Sequence, residues 1–234
     1  MKKIFLYLSF FSLVIVSCNR SSDTTTETIS LETQNSYDDL AIKKFMDDNY
    51  FDSKGNIKAF SATDTSDDNY PKLSSYNPIT LASGVVYIMR AGAQPNPGKA
   101  IGATDIIRLM HNMQNFVATK TDNIVTYGTI STVSNTIIQS GVPIVDPFFY
   151  YAKSTQIPSG KTSSYLEMEG FKEALQLFKS CEIDDSANYN LQGVIFVPSR
   201  SAYARDPNIF DSSTFKFNDR SFIFNFQVYK TTTR

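Results

Sequence analysis

Ser221 to Lys230 reads SFIFNFQVYK, in which Phe222, Phe224, Phe226 and Val228 alternate with Ile223, Asn225, Gln227 and Tyr229. Successive side chains of an extended chain point to opposite faces, so this is the pattern of a strand with one well-buried face. Upstream, three further runs favour strands: Val85 to Arg90, Asp105 to Met113 and Gly193 to Val197, each rich in β-branched or apolar residues and bounded by Gly, Pro or Asn. One helix is expected among them. From Tyr165 to Ser180, Met168, Phe171, Leu175 and Phe178 fall on one stripe, with Lys172, Glu173, Gln176 and Lys179 elsewhere. The order strand, strand, long loops, helix, strand, strand predicts an α+β domain built on an antiparallel sheet.

The 234 residues are 41% hydrophobic and 19% charged, which excludes a disordered chain and a coiled-coil rod. Net charge is −1 and no block of Lys or Arg occurs beyond the first three residues, so a nucleic-acid surface has no electrostatic basis. His111 is the only imidazole and Cys18 and Cys181 the only thiols, too few soft ligands for a multi-His or zinc-cluster site, and no metal is expected. Asp47, Asp48 and Asp52 do not alternate as a calcium loop requires before Gly55, and no terminal Glu follows. Gly160-Lys161-Thr162 resembles the end of a phosphate-binding loop, but Thr155 stands where the earlier Gly belongs. A Ser-His-Asp or Cys-His nucleophile system would have to be built on His111, within an apolar strand after Leu109 and Met110. Cys181 has no second base beside it and reads as a small buried hydrophobe.

Residues 1–17, MKKIFLYLSFFSLVIVS, combine Lys2 and Lys3 with an apolar run too short to span a bilayer, the pattern of a cleaved signal peptide. Ile15-Val16-Ser17-Cys18 resembles a bacterial lipobox, which makes Cys18 the expected lipid-attachment site and first mature residue. Nine of the eighteen residues from Asn19 to Ser36 are Ser or Thr with almost no apolar neighbours, so residues 18–36 are expected to be a flexible tether. Asp38 and Asp39 precede Leu40, Ile42, Phe45 and Met46 at near-helical spacing, which predicts a capped helix from Asp38 to about Asn49. Ser61 to Pro78 turns polar again. Residues 37–78 are therefore expected to form a helical and irregular arm before a domain at 79–234.

Within 83–230, separated stretches resemble the FKBP-type peptidyl-prolyl cis-trans isomerases, in particular bacterial, Bacteroidota-like, lipoprotein members. Ser83-Gly84-Val85-Val86-Tyr87-Ile88, followed by Gly92 and Pro95, is similar to the family's opening strand. Asp105 to His111 is similar to the next, with His111 where a pocket Tyr is usual. Met168-Glu169-Gly170-Phe171-Lys172-Glu173-Ala174-Leu175 resembles the VIPGW-x-E-A-L segment, with Met168 for Ile and Phe171 for Trp. Val197-Pro198 to Tyr203-Ala204 resembles the IP-x-x-x-AYG loop, and Phe222 to Val228 the LIFDVEL closing strand. The resemblance implies an antiparallel half-barrel wrapped on one central helix, and isomerisation of X-Pro bonds in exported proteins without a cofactor. It implies Phe171 as pocket floor, Met168 and Phe224 as walls, and Tyr203 and His111 as polar rim. Phe148 or Phe149 would add an aromatic substrate contact. The family's Phe-Asp-Ser segment has no counterpart between His111 and Met168; Val133-Ser134-Asn135 and Asp146 are the two candidates for its place. The expected setting is the cell envelope, with Cys18 as anchor in a bacterial membrane, of which the outer is favoured because residue 19 is Asn and not Asp, and with no nucleic-acid partner. A non-catalytic scaffold with a degenerate pocket is the alternative.

Overall fold

Polar composition at 30–36 conceals a helix. In the computed structural model, which describes residues 29–234, α1 spans Leu31–Asp48. The expected signal peptide, Cys18 and the first part of the tether lie outside the described residues. The remainder of the tether is a correction. The side chain of Ser30 accepts from the Thr33 amide at 3.1 Å and caps α1, and Gln34 is buried, donating to Asp38 Oδ1 at 2.9 Å and to the Ala118 carbonyl. A tertiary seat supplies partners that local composition does not reveal.

After α1 come the hairpin β1 (Asn49–Phe51) and β2 (Ile57–Ala59), then β3 (Ile79–Thr80), β4 (Val86–Met89) and β5 (Lys99–Ala100). The long β6 (Ile106–Val117) leads to the small hairpin β7 (Thr119–Thr121) and β8 (Ile124–Thr126). There follow β9 (Ser131–Asn135), the short α2 (Thr136–Gln139), β10 (Ile144–Val145) and α3 (Glu169–Leu175). The chain ends with β11 (Lys179–Ser180), β12 (Gly193–Val197) and β13 (Arg220–Thr232). The main sheet runs β10-β6-β13-β12-β4-β3, with β9 also on β6, and every ladder is antiparallel. The four expected strands are all present in it, and the protein is an α+β fold on an antiparallel sheet.

The central helix is shorter than its stripe predicts. Met168 has extended backbone (φ −105°, ψ 108°), a 3-10 turn occupies Ser163–Tyr165, and beyond Leu175 the chain turns into β11, which pairs with β5. Gly170 lets α3 lie close on the sheet: a Cβ there would come within 2.6 Å of Val85 Cγ2 and 2.8 Å of Val197 Cγ1.

β13 is buried on both faces, where the alternation predicts one. Phe222, Phe224, Phe226 and Val228 join α3 residues Phe171, Ala174 and Leu175 in one core. Ile223 faces the other way, into a core with Ile42, Phe45, Met46, Phe51 and Leu73. The expected arm is thus a layer packed on the sheet, sharing a core with Val86, Phe116 and Phe196, and the sheet is sandwiched.

Asp38 ties this layer to the far side. It is fully buried and accepts from the Ser199 amide at 2.9 Å, the Ser199 hydroxyl at 2.5 Å and Gln34. Burial raises its pKa, while those hydrogen bonds pull the other way. At the start of the described chain, the Ile29 carbonyl accepts from Arg205 Nη2 at 2.9 Å, and Arg205 Nε donates to both oxygens of Asp219. Asp38→Ala leaves the Ser199 amide and hydroxyl without an acceptor, so urea denaturation should show a loss of about 1–3 kcal/mol. An unchanged midpoint would mean that the tie contributes nothing net.

Candidate functional site

The register of β13 on β6 sets Phe224 opposite Met113, Phe226 opposite His111 and Val228 opposite Leu109. On the other edge of β6 two short strands share the available length. β10 pairs at Arg108 and Leu109, and β9 pairs from Asn112 to Asn115. Between them the ladder is interrupted. The Thr136 hydroxyl takes over there, accepting from the His111 amide at 2.8 Å and donating to the His111 carbonyl at 3.2 Å. Thr136 is held in place because Asn135 caps α2, its side chain accepting from the amides of Ile137 and Ile138.

A cavity of about 260 Å³ opens at this gap. Its β6 wall is Leu109, His111 and Met113, and Phe224 lies beside them. Val133 and Ser134 come from β9, and Ile144, Asp146, Pro147 and Phe149 from β10 and the segment after it. Phe210 closes the remaining side, stacked on Phe149 at 5.9 Å between ring centroids.

Of the residues expected to form a pocket, His111, Phe224 and Phe149 line this cavity. Phe148 is half-buried and packs edge-on against Phe149 at 4.7 Å, outside the lining. Met168 and Phe171 are fully buried below it. Phe171 is not an open floor: Phe224 stacks on it with centroids 3.9 Å apart and planes 13° apart, leaving no room for a third group between the rings. Phe224, not Phe171, is therefore the ring that lines the cavity. Tyr203 is also directed elsewhere, its hydroxyl donating to the Leu166 carbonyl at 2.7 Å. Both candidates for the missing acidic segment reach the cavity, through Ser134 and Asp146. Phe210 and Ile144 have no sequence signal of their own; Phe210 sits in a turn where its amide is held by Asn208 Oδ1.

The two titratable groups of the cavity are shifted in opposite directions by the same cause. Burial pushes His111 down to about 4, so its ring is neutral at physiological pH. Its Nε2 pairs with Ser134 Oγ at 3.0 Å and Nδ1 has no hydrogen-bond partner; the Leu109 backbone favours the proton but is outweighed by burial. Burial pushes Asp146 up to about 7, although its carboxylate accepts from the backbone amides of Tyr150, Phe149 and Phe148 and feels Arg234. Ser134 and His111 form a hydroxyl-imidazole pair, yet no carboxylate bonds Nδ1 and the ring is a poor base near neutrality, so the pair lacks what a nucleophilic system needs. Among the described residues no three His, Cys, Asp or Glu gather as metal ligands. The arrangement is suited to holding a compact apolar group in a dry site with few polar contacts. Compared with protein-family models and with curated proteins, the chain matches none.

The shifts have opposite consequences for stability. For Asp146 the folded pKa exceeds the usual 3.8, so the folded state keeps the proton longer and stability falls as pH rises from about 4 to about 7. For His111 the folded pKa lies below 6.5, so the unfolded chain takes the proton first and stability falls as pH drops from about 6.5 to about 4. Between those limits the slopes oppose, each worth up to about 1.4 kcal/mol per pH unit. Asp146→Asn should therefore make stability rise more steeply with pH than in the wild type, and His111→Gln should do the reverse. Urea titrations from pH 4 to 8 test this, and superimposable profiles for all three proteins would exclude both assignments.

Proposed function

We propose that the chain is an envelope lipoprotein whose cavity over Phe224 receives the proline of X-Pro segments in exported proteins and accelerates their cis-trans isomerisation. The observation that carries this reading is the cavity itself: aromatic and aliphatic walls, a neutral imidazole at one side, and no assembled nucleophile or metal ligand set among the described residues. Its volume equals the liquid share of roughly nine waters, room for a pyrrolidine ring and the amide before it.

Isomerisation needs no bond to be broken. Amide resonance creates a barrier of about 20 kcal/mol, and the planar, resonance-stabilised amide is more polar than the twisted one. A dry bowl penalises the planar form relative to the twisted one, and each 1.4 kcal/mol of that difference gives about tenfold in rate. In this reading Phe224 carries the ring, Phe149 and Phe210 flank it, and His111 and Asp146 offer polar contacts at the rim. The sheet is then the half-barrel, and α3 the single helix, of an FKBP-like domain. Cys18 would carry the lipid, placing the domain at the outer membrane of the envelope.

A second reading has one observation in its favour. Because Phe224 closes over Phe171 and neither Met168 nor Tyr203 reaches the cavity, the bowl is shallower than the resemblance implies, which suits holding a proline-containing segment without accelerating it.

A protease-coupled isomerisation assay on the detergent-solubilised chain separates the two. Acceleration over the spontaneous rate, reduced at least tenfold by Phe224→Ala, is expected; none at all would leave only binding. Cys18→Ser should move the protein from the membrane to the soluble fraction, and unchanged membrane association would remove the lipid anchor.

A further inference from the structure

A second cleft, of about 500 Å³, lies on the α1 side of the sheet, across from the cavity over Phe224. Four separate segments build it. Asp47 and Asp48 come from the last turn of α1, Phe60 from the end of the β1-β2 hairpin, Asp68, Tyr70 and Lys72 from the segment that follows, and Tyr127 from just beyond β8.

Two features of this cleft bear on what it could hold. The first is charge. Asp47 and Asp48 occupy the C-terminal turn of α1, the negative end of the helix dipole, where no basic residue is present. Lys44 pairs with Asp48 at 2.8 Å, the Tyr127 hydroxyl donates to Asp48 at 3.0 Å, and Ser74 donates to Asp47 Oδ1 at 2.6 Å. Asp47 Oδ2 and the whole Asp68 carboxylate accept no hydrogen bond from any described side chain. Next to Asp68 in the chain, outside the lining, Asp67 is buried with Oδ1 unpartnered, while its Oδ2 accepts from the Ser61 amide.

The second feature is an aromatic shelf that the core does not use. Tyr70 is 41% exposed, its ring stacked on Tyr50 at 4.7 Å and 24°, and Tyr50 meets Phe60 at 4.9 Å. An exposed flat ring, Tyr70, beside under-used acceptors fits one ligand chemistry well. A saccharide ring presents an apolar C–H face to an aromatic shelf and hydroxyls at its edge to carboxylates and an ammonium. Charge narrows the choice further: Asp47, Asp48 and Asp68 outnumber Lys72 in the lining, and Lys44 beside them is already paired with Asp48, a field that repels anionic ligands.

We propose that this cleft is a binding site for a neutral saccharide, with Tyr70 as stacking platform, Asp47 and Asp68 as hydroxyl acceptors and Lys72 as donor. It is independent of the cavity over Phe224, so either can fail without the other.

Affinity gel electrophoresis of the full chain tests it, with soluble β-glucan, α-mannan, xylan and galactan cast separately into native gels. At least one polysaccharide should retard the protein. Tyr70→Ala should weaken that retardation at least tenfold and Asp68→Asn several-fold, with both variants keeping the wild-type far-ultraviolet circular dichroism spectrum. Migration unaffected by all four polysaccharides overturns the proposal, as does retardation that survives Tyr70→Ala. Protection of the thermal midpoint by tetramethylammonium but by no oligosaccharide of the same four kinds would reassign the cleft to an organic cation.

Discussion

The ladder between β6 and β13 is the constraint on which the rest of the molecule depends. Both faces of β13 are covered, so a slip of one residue would exchange Phe222, Phe224 and Phe226 for Ile223, Asn225 and Gln227 in the core under α3. Asn225 penalises that error. Its side-chain amide donates to the carbonyls of Gly55 and Gly193, and its Oδ1 accepts from the Ile57 amide, partners that exist in one register alone. A buried polar residue left without them would cost about 1–3 kcal/mol. The same ladder places His111 and Met113 beside Phe226 and Phe224, so the setting of the cavity follows from the pairing of two strands.

How much of this was legible in the sequence depends on where each residue sits. Period-two patterning identifies β13 and its inward face because alternation is a property of the backbone itself. His111 and Phe224 lie on such strands, and both reach the cavity. Phe210 and Ile144 come from a turn and a two-residue strand, where no periodicity operates. The depth of the pocket was equally hidden, since the stacking of Phe224 on Phe171 is decided by packing between α3 and the sheet. The start of α1 went unread for a related reason: Gln34 and Asp38 look solvent-facing by composition, yet each satisfies the other in the interior.

The sheet also separates two chemically different surfaces. On the α3 side, burial keeps one imidazole uncharged and one carboxyl near its midpoint within an apolar wall. On the α1 side, a group of carboxylates and the ring of Tyr70 meet water. Between them lie two separate apolar cores, one on each face of the sheet.

The grip of Arg205 on the Ile29 carbonyl and on Asp219 has a mechanical consequence. Tension applied to the polypeptide at Ile29 would be borne first by that guanidinium clamp and, through Asp38 and Ser199, by the turn after β12. Load would then pass into the sheet at a corner instead of peeling α1 away turn by turn. Because the bond to Ile29 and the Arg205–Asp219 pair act in series, a pull at that point is felt at the head of β13 and not only in the first turn of α1.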